Sequence, residues 1–124
     1  MRNLRWMVLL LVVLAAFGIT AQNDEDMDDM LAVETDDVIV VSEGMDYESY
    51  LAAPAAEGVY PGIGLIPSFN GLQQGYRDMT DQFAAEGFVV LAVGWQTFER
   101  GPSDAVVAQL LADSVAFLSE RDDV

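Results

Sequence analysis

An α/β fold is predicted by three observations. Two short apolar runs, Gly62 to Ile66 and Phe88 to Val93, read as strands buried on both faces. Helical periodicity follows each run. Gly and Pro mark the boundaries between the segments. Strand, helix, strand, helix in that order is a βαβα unit, and such crossovers imply parallel strands with right-handed connections.

The chain opens with a segment that is not part of this pattern. Met1 to Gln22 holds Arg2 and Arg5, then 12 apolar residues from Trp6 to Phe17, then Gly18, Thr20 and Ala21. A short positive region, an apolar run and small residues form the three-part pattern of an export signal. The run is shorter than the ~20 apolar residues that cross a bilayer. Residues 1–21 are read as a signal peptide or, since Ile19 stands three residues before the break, as an N-terminal anchor. The protein is then exported, and it touches the membrane only if this segment is uncleaved. An acidic spacer follows from 22 to 37, with Asp24, Glu25, Asp26, Asp28, Asp29, Glu34, Asp36 and Asp37. Like charges at this density keep a segment extended and solvated. The calcium-loop spacing and its turn Gly are absent.

The folded part is expected over 38–124. Val38 to Val41 is β-branched and suits a strand. Tyr47 to Ala53 reads as a second strand, ended by Pro54. Gly62 to Ile66 is the third, between Pro61 and Pro67. Leu72, Tyr76, Met79 and Phe83 share one helical face. Gly87 suits the left-handed position after that helix. Phe88 to Val93 is the fourth strand. Ser103 or Asp104 can cap a last helix, whose apolar side would carry Val107, Leu110, Leu111, Val115 and Leu118.

Composition excludes much chemistry. The 124 residues include 21 Asp and Glu but 5 Lys and Arg, for a net charge of -16. That balance argues against nucleic acid as a partner. The chain has no Cys and no His. It therefore holds no disulfide, no thiolate nucleophile and no Ser-His-Asp set of its own. Gly-rich phosphate loops are missing, and no cofactor or metal is expected.

The stretch Tyr50 to Val93 carries a resemblance. Tyr50-Leu51-Ala52 with Pro54, Pro61-Gly62-Ile63, Gly71-Leu72, Arg77-Asp78 and Phe83-Ala84-Ala85-Glu86-Gly87-Phe88 occur in the order and spacing of the dienelactone hydrolase family. The chain resembles the N-terminal half of that family, which belongs to the α/β-hydrolases. The resemblance implies a partial α/β-hydrolase fold over 38–124, cut before the nucleophile strand. It also implies acyl hydrolysis by a Cys or Ser on a G-x-[CS]-x-G elbow, with Asp and His further on. None of these is present, so the chain by itself is expected to be inactive. The implied substrate of the full-length parent is a small ester or lactone.

Further implications concern the loops. In such enzymes the loop after the third strand gives a backbone N–H to the oxyanion hole. By position that donor is Phe69, next to Ser68. The family's His-Glu pair is here Pro67-Ser68, which argues for a divergent esterase. Trp95, Phe98 and Arg100 follow the fourth strand at its carboxyl end, where open α/β sheets bind ligands. They are candidates for a substrate pocket, with Arg100 facing an acidic group. Arg77 and Asp78 are expected to be structural. The other readings left by the residues are a non-catalytic secreted or anchored protein that completes its sheet on a partner strand, and an envelope protein acting through residues 22–37.

Overall fold

The computed structural model describes residues 29–124. The expected signal segment and residues 22–28 of the spacer lie outside the described residues. Leu31–Val124 is one compact unit. Its elements are β1 (Val33–Ser42), β2 (Met45–Pro54), β3 (Gly62–Leu65), α1 (Gln74–Ala85), β4 (Val89–Ala92) and α2 (Asp104–Ser119). The four strands form one sheet in the order β1-β2-β4-β3.

The sheet is mixed rather than parallel throughout. β3 and β4 are parallel, with α1 as their crossover. β1 and β2 are antiparallel and so are β2 and β4. Only two residues, Glu43 and Gly44, separate β1 from β2, and both have positive φ, 49° and 78°. Two successive left-handed residues make the turn whose twist matches a hairpin. A connection this short forces the antiparallel pairing.

β1 begins at Val33, not at Val38. The residues from 33 to 37, expected in the solvated spacer, are thus strand. They pair with Tyr50 to Pro54 of β2. Glu34, Asp36 and Asp37 are exposed on this outer strand, where water solvates them while the backbone completes the ladder. Charges on an outer strand also discourage stray pairing.

β4 sits at the centre of the core. Val89, Val90, Leu91 and Ala92 are all fully buried. Alternate side chains enter opposite layers. Val89, Leu91 and Val93 pack with Val40, Tyr47, Leu51, Leu110 and Leu118, on the α2 side. Val90 and Ala92 pack with Leu65, Tyr50, Ile63, Leu72 and Tyr76, on the α1 side.

The helix faces match expectation in part: Leu72, Tyr76, Leu110 and Leu118 pack inward, but Met79, Phe83 and Val115 do not. Thr80, Ala84 and Ala85 are the buried residues of α1, while Met79 and Phe83 are 42% and 39% exposed. Small side chains let the helix lie close on the sheet, and the large ones are pushed to its flank. Phe83 meets the Phe88 ring edge-on there, at 6.5 Å. On α2, Leu110, Ser114 and Leu118 are buried, but Val115 is 63% exposed. The buried Ser114 hydroxyl donates to the Leu110 carbonyl at 2.7 Å, so it enters the core with its donor satisfied. Ser103 caps α2 by accepting from the Val106 N–H at 3.3 Å. Gly87 takes φ 104° after α1, the left-handed residue that ends it.

Candidate functional site

Two loops leave the carboxyl ends of the parallel strands. One runs from Pro67 to Gly71 after β3, the other from Gly94 to Pro102 after β4. Ligands of open α/β sheets bind at such ends, because the helix after each strand draws its loop aside and opens a crevice. Here the crevice is a groove of about 610 Å³. Phe69, Leu72, Gln96, Phe98, Arg77 and Arg100 line it, with Glu48 from β2.

The loop after β4 is set by a close backbone contact. At Gly94 a Cβ would stand 1.6 Å from the Glu48 carbonyl oxygen. Only Gly permits that approach. The Gly94 N–H donates to the Ser49 hydroxyl at 3.0 Å. The Thr97 hydroxyl donates to the Gly94 carbonyl, and it accepts from the Glu48 N–H at 3.1 Å. These bonds turn the chain sharply after β4 and bring Gln96 to Arg100 back over the groove.

The loop after β3 is a tight turn. The Gly71 N–H donates to the Ser68 carbonyl at 2.9 Å, and Gly71 has φ 78°. Phe69 and Asn70 are its corner residues, and their N–H groups form no hydrogen bond among the described residues. Phe69 is 60% exposed, and its ring lies under the Arg100 guanidinium, 4.3 Å from ring centroid to the guanidinium carbon.

The residues singled out from sequence divide. Phe69, Phe98 and Arg100 come together at the groove. Phe98 packs edge-on against Tyr47 at 5.1 Å. Trp95 does not line the groove. Its indole packs against the core and its N–H donates to the Pro67 carbonyl at 2.8 Å. It ties the two loops, because a half-buried indole N–H needs an acceptor and the first residue of the opposite loop supplies one. Ser68 lies against Tyr76, and hydrogen bonding from it holds the Tyr76 phenol below its ordinary pKa.

Arg77 faces both the groove and β1. It pairs with Asp37 at 2.8 Å and lies over the Tyr50 ring at 4.7 Å. The Tyr50 hydroxyl donates to Asp81 at 2.8 Å. Burial, and then the Asp81 carboxylate, push the Tyr50 pKa up. Asp37 is largely solvated, so the ion pair contributes little to stability.

Gln96, Glu48, Thr97 and Gly94 were not legible as site residues. Glu48 reaches the groove because β2 lies next to β4. A polar cluster placed directly after a fully apolar strand was the available signal for Gln96 and Thr97. Chemically the groove offers two guanidinium groups, free backbone N–H groups and aromatic faces. The chain has no Cys or His to add to them. Among the described residues no cluster of acids is placed to hold a metal ion.

Comparison with known proteins places the sequence and the fold. No family model matches the chain. A Synechocystis protein, "Putative carboxymethylenebutenolidase", is 33% identical over 60 residues, covering 48% of this chain and 24% of that protein. A "Putative Dienelactone Hydrolase" from Klebsiella pneumoniae has a similar fold, with TM-score 0.59 and 22% identity over 74% of this chain and 45% of its own. A bacterial brefeldin A esterase covers 92% of this chain at TM-score 0.57 and 23% identity, with 36% of its own length matched. The chain thus resembles the dienelactone hydrolases in sequence and has a partial α/β-hydrolase fold. It spans about a quarter of the curated relative and less than half of the solved structures.

Proposed function

We propose that these residues are the substrate-binding, N-terminal part of an exported hydrolase of the dienelactone-hydrolase type. The reaction class is ester or lactone hydrolysis, with a Cys or Ser nucleophile, Asp and His contributed by further sequence. One observation supports this most directly. The loops after two parallel strands converge on one groove, and that groove carries Arg100 stacked on Phe69.

The roles follow from the chemistry. The Phe69 N–H is the oxyanion donor, turned toward the oxygen on which negative charge develops. Removing one such donor costs ~10²–10³ in rate. Phe98 and the Phe69 ring bound the apolar part of the substrate. Arg100 faces an acidic group on it, since a guanidinium pairs with a carboxylate through two parallel hydrogen bonds. Its position in a chain of net charge -16 concentrates scarce positive charge at the groove. Export rests on the pattern of Met1 to Gln22, and N-terminal sequencing of the secreted protein would show cleavage after Ala21.

Two measurements test the reading. Benzoate, a minimal aromatic carboxylate, is titrated into the chain and followed through its backbone amide signals. Shifts are expected at the groove loops, with affinity falling about tenfold in Arg100→Ala. Equal affinity in that variant would remove Arg100 from substrate binding. The coding frame past the Val124 codon is the second. An open frame reaching G-x-[CS]-x-G, then Asp and His, supports the hydrolase. A stop codon there would favour the non-catalytic interaction protein.

A further inference from the structure

Gln96 joins the two loops through one carboxamide. Its Nε2 donates to the Phe69 carbonyl at 2.7 Å and to the Arg100 carbonyl at 2.6 Å. Its Oε1 lies 3.0 Å from where a Cβ on Gly71 would be. The amide therefore fills the space beneath the turn and touches both sides of the groove. No other described side chain donates to carbonyls of both loops.

We propose that Gln96 is the positioning residue of the groove, holding the turn after β3 and the Arg100 segment in one fixed arrangement. A trans peptide is planar, so its N–H points opposite its C=O. Drawing the Phe69 carbonyl toward Gln96 therefore aims the Asn70 N–H away from Gln96. The Gly71 N–H fixes the Ser68 carbonyl in the same way, and with it the Phe69 N–H. The two successive donors are left unpartnered and rigid. The second Gln96 bond holds the Arg100 backbone, from which the guanidinium reaches the Phe69 ring. One side chain thus sets the distance between the anion-seeking N–H groups and the charge that would hold the far end of a substrate.

This inference rests on the groove's being a substrate site, and the test separates the two. Amide hydrogen exchange is measured on the full chain, on Gln96→Met and on Gln96→Ala. Gln96→Met keeps the length of the side chain but removes its donors. The Gly71 amide reports the turn and the Val93 amide, bonded to Leu65, reports the sheet. Loss of the donors is expected to speed exchange about tenfold at Gly71 in both variants, with Val93 unchanged. Benzoate shifts at the Phe69 and Asn70 amides are expected to vanish in both. If Gln96→Met behaves as the native chain while Gln96→Ala does not, Gln96 acts as filler and the proposal is overturned. If Gly71 responds to both substitutions but the native chain takes up no benzoate, the clasp stands and the substrate reading of the groove fails.

Discussion

Gly94 is the residue on which the groove turns. Its α-carbon lies against the Glu48 carbonyl with no room for a methyl group, the oxygen being 1.6 Å and the carbonyl carbon 2.8 Å from a would-be Cβ. Both atoms are backbone, so neither can swing aside. Gly94→Ala must therefore separate β2 from the end of β4. We expect it to lower unfolding free energy by at least about 2 kcal/mol, measured as a lower urea midpoint at constant m-value. Gly75 is the control. It lies in α1 with open space around its would-be Cβ, and Gly75→Ala is expected to raise stability by about 0.5 kcal/mol. Opposite signs would show that contact, not loss of Gly as such, decides the outcome. A tolerated Gly94→Ala would mean that the β2–β4 approach is slack.

At the scale of elements, legibility in the sequence followed how locally each element is determined. β4 was legible because Val89 to Ala92 is apolar on both faces, so no choice of face arises. α1 and α2 were legible as helices and in part by face, since Tyr76, Leu110 and Leu118 pack inward as expected. Met79, Phe83 and Val115 are apolar yet exposed, whereas Thr80 and Ser114 are buried because each bonds a carbonyl four residues back. The start of β1 was hidden because its acids read as spacer, while the ladder to Tyr50–Pro54 that orders it is a tertiary fact. Phe98 and Arg100 were singled out by position after β4 and Phe69 by the family resemblance, and all three lie at the groove. Glu48 needed the antiparallel placement of β2 beside β4, and Gln96 the meeting of the two loops that brings the Phe69 carbonyl to it. The segment after α2 carries an element-scale prediction. The Asp123 carbonyl accepts from the Tyr60 N–H at 2.8 Å, and the Asp123 carboxylate pairs with Arg121 through two bonds of 2.8 Å. The hydrogen bond from Arg121 holds the Asp123 pKa below its ordinary value. A lowered folded pKa stabilises the fold above the unfolded value of about 3.9. That contribution is lost as pH falls through the lowered folded value. Asp123→Asn should remove this part of the acid transition and leave stability below it unchanged, as read from urea midpoints against pH. An unaltered acid transition would show that the pair is solvated too well to matter.

For the whole molecule the deciding quantity is charge. Of the chain's net charge of -16, the compact unit Leu31–Val124 carries 16 Asp and Glu against Arg77, Arg100 and Arg121, and only two ion pairs form among the described residues. Both pairs are partly solvated, which limits each to about 1 kcal/mol or less. Repulsion among the remaining acids acts over the Debye length, roughly 30 Å at 0.01 M salt and 8 Å at 0.15 M. Folding compresses those acids, so repulsion opposes the native state more than the unfolded one. Added salt should then stabilise the protein, because screening relieves more repulsion than attraction. We expect the Tm to rise by about 5 °C between 0.01 M and 0.3 M NaCl, corresponding to roughly 1 kcal/mol for a unit of this size. The same salt should weaken benzoate binding at Arg100, since that attraction is screened by the same ions. Opposite responses of fold and groove would identify repulsion across the surface as the global term and attraction at the groove as the local one. A Tm that falls with salt would reverse this ranking, and the pairs of Arg77 and Arg121 would then outweigh the repulsion around them.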